Sequence, residues 1–205
     1  MNIPALYLSL YLALFLTLLS DYKAGVMAVD LLGYPCRDPD STFTQSVLDT
    51  HNLYRASHND TSPLCLSQKL IDSAEQYAQR MAVKDDRLKT QGGFFDHDPN
   101  NIIEGENLCR TTRDMLEKQG AAHCVKKCIS QWYKTEEPLF NYSNKKEAFN
   151  PARLVGHFTS IVWRETRAVG CGLAEGTRGT FVVCRYYPQG NVIEEYAANI
   201  GDKIH

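Results

Sequence analysis

The sequence predicts an α+β sandwich, and three observations carry that reading. Leu66, Leu70, Ile71, Ala74, Tyr77, Ala78 and Met81 recur at i, i+3, i+4 spacing with Ser67, Gln68, Asp72, Glu75 and Arg80 between them, the pattern of a helix with one apolar face. The runs 169–173 and 180–187 are rich in Val, Phe, Tyr and Cys and are separated by a glycine-containing loop, so they read as the two strands of a late hairpin. Length and composition, 205 residues with 43% hydrophobic and 22% charged, suit one domain with a full core. Helices around a late antiparallel hairpin give a sandwich of mixed elements rather than a parallel sheet. A net charge of -2 offers no basic face for a phosphate backbone and excludes nucleic acid as a partner.

In chain order, residues 6–19 are an uncharged run of Leu, Tyr, Ala and Phe that stops at Ser20, Asp21, Tyr22 and Lys23. The run is too short for the roughly 20 residues of a membrane span and matches a signal-peptide core. Val26-Met27-Ala28 is the best small-residue cleavage site, so residues 1–28 are expected to be a signal peptide and the mature chain to carry no transmembrane anchor. Residues 29–41 hold Gly33, two prolines and three aspartates and read as an extended leader. The domain is then 42–205. Ser41 or Thr42 caps a first helix through Phe43, Val47, Leu48 and His51-Asn52-Leu53-Tyr54-Arg55, broken by Asn59, Asp60 and Pro63. The periodic helix follows. Residues 84–101 are charged and then glycine-rich, which puts His97 in a loop or short strand. A third helix is expected from Met115 or Ala121 to Tyr133, ended by Pro138 and a long Asn-rich loop to Pro151. The run 157–163 is short and apolar and fits a helix or a strand equally.

Seven cysteines (Cys36, Cys65, Cys109, Cys124, Cys128, Cys171 and Cys184) and the sequons at Asn59 and Asn141 agree with an oxidising secretory route and an extracellular destination. Cys171 and Cys184 lie on the two hairpin strands, so a bridge between them is the easiest to propose. The other five must supply two bridges and one leftover thiol.

Four segments carry a family signature: His51-Asn52-Leu53-Tyr54-Arg55, Gly105-Glu106-Asn107-Leu108, the run from Gly156-His157 to Trp163, and Cys184-Arg185-Tyr186-Tyr187-Pro188-Gln189-Gly190-Asn191. With Trp132-Tyr133 and Val169-Gly170-Cys171-Gly172 between them, they resemble the CAP superfamily, also called SCP/TAPS, which includes pathogenesis-related class 1 proteins and venom allergens. The resemblance spans about 150 residues. It implies a disulfide-stabilised three-layer α-β-α sandwich with a central antiparallel sheet and a cleft of two histidines and two acids. His97 and His157 match the histidines, able to hold Zn2+ or another divalent cation that folding does not require, and Glu106 matches the first acid. The family places the second acid two residues after the Trp-Tyr pair, where this chain has Thr135. Either a one-residue bulge brings Glu136 into the cleft, or the site has three members.

The resemblance further implies a secreted, non-enzymatic binding protein with a sterol or other lipid ligand, an extracellular protein receptor, or both. Phe140 and Tyr142 are the aromatic candidates for a lipid-binding loop. Two alternatives stand beside this: a metal-assisted hydrolase using His97, His157 and Glu106, and a receptor-binding, immunomodulatory module with a vestigial cleft. Ser160 and Thr159 beside His157 suggest a hydrolase, but no Gly-x-Ser-x-Gly elbow accompanies them. His51, Asn52 and Arg55, one turn apart, read first as a polar network that fixes their helix, and Trp163 and Tyr187 as core.

Overall fold

The computed structural model describes residues 33–88, 95–149 and 154–204. The expected signal peptide and the first four residues of the leader lie outside these. Strand β1 (Cys36–Arg37) sits within the leader, and helix α1 (Thr42–Arg55) follows. Ser41 is its N-cap: Oγ accepts from the Thr44 backbone N at 3.2 Å while Thr44 Oγ1 accepts from the Ser41 N at 3.1 Å, which satisfies two of the donors a helix start leaves open. Strand β2 (Cys65–Ser67) precedes helix α2 (Gln68–Leu88). The periodic helix therefore starts after Leu66, not at it, because Leu66 pairs with Arg37 on one side and Val169 on the other.

Strand β3 (Gly105–Thr111) leads into helix α3 (Arg113–Glu136). Thr112 caps α3, and Gly120 at φ +80° interrupts it, so both sequence-expected starts mark real features: one helical piece before the glycine and one from Ala121. The helix runs a turn beyond Tyr133 because no breaker intervenes before Pro138. Short 3-10 turns follow at Glu137–Leu139 and Tyr142–Phe149. The ambiguous 157–163 run is helical, as α4 (Gly156–Val162), and β4 (Ala168–Gly176), β5 (Gly179–Tyr187) and the short α5 (Tyr196–Asn199) complete the order.

The sheet order is β1-β2-β4-β5-β3. β4, β5 and β3 form an antiparallel centre, and β2 adds a short parallel contact to β4. Strand alternation divides the core into two layers. Val182, Cys184 and Tyr186 face α1, α3 and α4, packing with Val47, Ile129, Trp132 and Phe158, while Phe181 and Val183 face α2, packing with Ala74, Tyr77 and Met81. A Cβ on Gly170 would lie 2.3 Å from the Ile71 N, and one on Gly172 would lie 2.3 Å from the Glu75 N. These two positions let α2 settle directly on β4.

Three disulfides staple the layers: Cys36–Cys65 ties the leader to β2, Cys109–Cys128 ties β3 to α3, and Cys171–Cys184 crosses the hairpin between directly paired residues. Cys124 is the unbridged cysteine and is buried in α3. The polar residues of α1 form a fixing network. Arg55, fully buried, donates to the carbonyls of Ser62, Ile161, Trp163 and Thr166. Asn52 brackets the Leu64 backbone through both its amide groups. Trp163 is core, whereas Tyr187 is half-buried and stacks on Tyr34 of the leader at 4.1 Å.

Candidate functional site

Two histidines reach one cleft from different elements, each held from behind by a carboxylate. His97 lies in the loop after α2. That loop is pinned by Tyr77, whose hydroxyl donates to the Asp96 carbonyl at 2.5 Å, and by Asp98, which accepts from Arg80 at 2.6 Å and Arg185 at 2.9 Å. Glu106 on β3 accepts from His97 Nδ1 at 2.5 Å and from the Asp98 backbone N at 3.1 Å. Arg185, opposite Glu106 across the β3–β5 ladder, places its guanidinium 3.0 Å from Glu106 Oε2. A buried carboxylate is stable as an anion only when paired in this way. The hydrogen bond to Glu106 raises the pKa of His97 above that of an ordinary imidazole, and burial opposes it.

The second pair is built differently. Glu136, the last residue of α3, accepts from His157 Nδ1 at 2.5 Å and from the Phe158 backbone N at 2.9 Å. The His157 ring stacks on Trp132, 5.7 Å between centroids and 8° from parallel. Thr135, at the family's usual position for the acid, is exposed and donates to the Gln131 carbonyl. Glu136 is thus the carboxylate against His157. In both pairs a carboxylate can only accept, so Nδ1 carries the proton and Nε2 is the nitrogen left for a ligand.

Asn107 joins the two halves. Its Nδ2 donates to the His157 carbonyl at 3.1 Å and to the Tyr186 hydroxyl at 3.1 Å, so the residue after Glu106 fixes the helix that carries His157. Asn191, at φ +60°, donates to the Gly156 carbonyl and to Ser160 Oγ and accepts from Thr159 Oγ1. The resulting cleft, about 380 Å³, is lined by His97, Glu106, Asn107, Glu136, Leu154, Gly156, His157 and Asn191. Among the described residues no three His, Cys, Asp or Glu side chains are gathered into a ready metal cluster. The donor set is two imidazoles with their carboxylates behind them.

Sequence reasoning gave Arg185, Asp98, Asn107 and Asn191 no role in the site. Arg185 carried a usable signal, a charge on the apolar strand 181–187, which must find buried anions. Ser160 and Thr159 do not face His157: Ser160 Oγ donates to the Gly156 carbonyl, and Thr159 Oγ1 reaches the Val155 carbonyl and Asn191. The lipid-loop candidates differ in exposure. Phe140 is buried in the core against Phe158, whereas Tyr142 is half-buried, packs on Phe140 and donates to Glu137. Asn59 is exposed, and Asn141 is half-buried with Oδ1 accepting from the backbones of Ser143 and Asn144.

A model of the cysteine-rich secretory protein family matches residues 48–186. Golgi-associated plant pathogenesis-related protein 1 of Homo sapiens is 33% identical over 156 residues, covering 75% of this chain and 87% of that protein. Protein PRY2 of Saccharomyces cerevisiae is 32% identical over 160 residues, covering 77% of this chain but only 41% of PRY2. Among solved structures, BmVAL-1 aligns with a TM-score of 0.63 at 20% identity, covering 82% of this chain and 88% of that one. The structure of NaASP2 with Zn2+ aligns with a TM-score of 0.58 at 20% identity, covering 83% and 91%.

Proposed function

The chain belongs to the cysteine-rich secretory protein (CAP) family, and from that premise we propose that it is an extracellular, non-enzymatic binding protein whose cleft takes a divalent cation on His97 and His157. The observation that carries this is the pair of Nδ1-to-carboxylate hydrogen bonds at 2.5 Å. Such backing fixes the tautomer with Nε2 as the ligand nitrogen and increases its basicity. The donor set suits a zinc-like ion. With two protein ligands, His97 and His157, such an ion would be replaceable and would supply Lewis acidity or a bridge to a partner without holding the fold together. NaASP2, similar in fold, has been crystallised with Zn2+. The extracellular reading is supported by three disulfides and by relatives that include a secreted protein of Candida albicans. Binding is favoured over hydrolysis because the hydroxyls beside His157 are turned to backbone carbonyls and Asn191. A general base needs its nucleophile within hydrogen-bond reach.

Calorimetric titration with zinc chloride at pH 7.5 tests this on the wild type, His97→Ala, His157→Ala and the double variant. Either single substitution is expected to remove most of the affinity, with little further loss in the double variant. At pH 5.5 the wild type should bind more weakly, since an imidazolium cannot ligate. Undiminished affinity in the double variant contradicts the site.

A lipid ligand is a second reading, favoured by a different groove. Phe43, Ile71, Ala121 and Leu173 line a space of about 470 Å³ between α1, α2 and α3, together with Arg37, Asp40, Ser41, Thr44, Gln68 and Glu75. Arg37 is paired with Asp40 there, so the apolar residues are the part of the groove that suits a lipid and its charges select no headgroup. A lipid-exchange assay with labelled palmitate and labelled sterol, run beside a broad peptidase screen, is expected to show exchange of at least one lipid and no cleavage. Peptide cleavage that depends on His97 would favour the hydrolase instead.

A further inference from the structure

The chain segments that supply the cleft's lining carry exposed apolar and acidic residues. Among the described residues the exposed large hydrophobic side chains include Phe95, Ile102, Ile103, Leu154 and Ile193, with Ile102 82% and Leu154 75% exposed. Leu154 lines the cleft itself, and the other four lie within four residues of His97, Glu106 or Asn191, which also line it. Exposed apolar groups on the segments that build a concavity point to an interaction surface there. The charge of the same segments is one-sided: 95–106, 154–157 and 191–195 contain six Asp and Glu (Asp96, Asp98, Glu104, Glu106, Glu194 and Glu195) and no Lys or Arg. Asp98, Glu104 and Glu106 face Arg185 inside, whereas Asp96, Glu194 and Glu195 are exposed.

We propose that this rim docks a short segment of a partner protein that combines aliphatic with basic side chains. The aliphatic groups would rest on Ile102, Ile103, Leu154 and Ile193, and Lys or Arg would face Glu194, Glu195 and Asp96. The acidic rim repels an anionic membrane surface and steers cationic groups inward. A cleft of about 380 Å³ lies at the small end of ligand sites and takes a side chain or short peptide stretch rather than a folded domain. The proposal rests on the reading of the cleft as a binding surface but does not require a metal in it.

Selection of a displayed random-heptapeptide library on the disulfide-intact protein tests it. The best-enriched peptide is then measured by fluorescence anisotropy against wild type, Ile102→Ser/Leu154→Ser, Glu194→Lys/Glu195→Lys and His97→Ala/His157→Ala. All four rim positions are exposed, so folding should not suffer. Heptapeptides mixing aliphatic residues with Lys or Arg should be enriched. The serine pair should weaken the peptide about tenfold or more, and the lysine pair should shift selection towards acidic peptides. Zinc affinity should survive both rim pairs and fail in the histidine pair, which separates this proposal from the metal reading. Equal peptide binding by the rim variants, enrichment without basic residues, binding of phosphatidylserine vesicles lost with the same substitutions, or a dimer abolished by them would each overturn it.

Discussion

His51 shows how one buried side chain ties stability to the cleft. Its Nδ1 donates to the Val47 carbonyl at 2.8 Å, and its Nε2 accepts from the Tyr186 hydroxyl at 3.0 Å, which in turn accepts from Asn107. Both nitrogens are satisfied only in the neutral ring, and burial pushes its pKa down to about 4. An unfolded chain, with an ordinary histidine near 6.5, takes up a proton between pH 6.5 and 4 that the folded chain refuses. The stability from this site is therefore complete above pH 6.5 and is lost as pH falls through that window, on the order of 3 kcal/mol by its lower end. Burial lowers His58 as well and adds to the same slope, while the raised, largely exposed His97 opposes it weakly. Urea unfolding at pH 7.0 and pH 4.5 should show this loss, and His51→Gln should be less stable at pH 7.0 with a shallower slope. An unchanged slope would remove His51 from the explanation. Arg55→Met should cost about 3 kcal/mol or more, because four carbonyls lose a buried donor. That His51, Asn52 and Arg55 brace their helix was legible from spacing alone. Their distant partners, three carbonyls over a hundred residues from Arg55 and the Tyr186 hydroxyl for His51, were not, since periodicity records which face is buried and not what it meets.

Helix α2 and strand β4 are separated by no side chain at Gly170 or Gly172. Either glycine replaced by alanine drives a methyl into helix backbone, which cannot swing aside as a side chain would. Gly172→Ala should destabilise by about 3 kcal/mol or prevent folding, whereas Gly176→Ala, which meets side-chain atoms at 3.3 Å, should cost much less. Thermal unfolding of the two variants checks the contrast, and equal losses would contradict it. Cys109–Cys128 staples the strand that carries Glu106 to the helix that carries Glu136. Replacing both cysteines by serine should cost about 3 kcal/mol for a loop of this length and loosen the cleft between Glu106 and Glu136 as well. The sequence disclosed most elements through periodicity, caps and breakers. It left 157–163 undecided because a short run with Phe, Ile, Val and Trp among seven residues satisfies either period, it missed β1 and β2 because two- and three-residue strands have no period to read, and it assigned no strand to 105–111, where the polar Gly-Glu-Asn start hides the alternation. The start of α2 was misplaced for that same reason, since Leu66 fits the helical pattern but is held by strands on both sides.

The fold gathers segments from four separate stretches of chain, and the cleft exists only because β3, α3, α4 and the loop after α2 meet at one end of the sheet. The family signatures made His97, Glu106 and His157 legible in advance, and the sequence left Glu136 and a three-member site as equals. Packing, which composition does not encode, sets Glu136 against His157 and turns Thr135 outward. Packing also draws Phe140 into the core and leaves Tyr142 half-buried against it, a difference the sequence does not encode. Secretion from a eukaryotic host should yield a chain that begins at Val29 and carries a glycan on Asn59, Asn141 or both; intact mass with N-terminal sequencing checks this, and membrane retention of residues 1–28 would reverse it. The decisive measurement on the cleft is anomalous diffraction at the zinc edge from crystals soaked in zinc chloride. One strong peak about 2.0–2.1 Å from Nε2 of both His97 and His157, with Glu106 and Glu136 still on the Nδ1 atoms, is the expected result. A peak on the carboxylates, or none between the two imidazoles, would contradict it and return both histidines to a purely structural role.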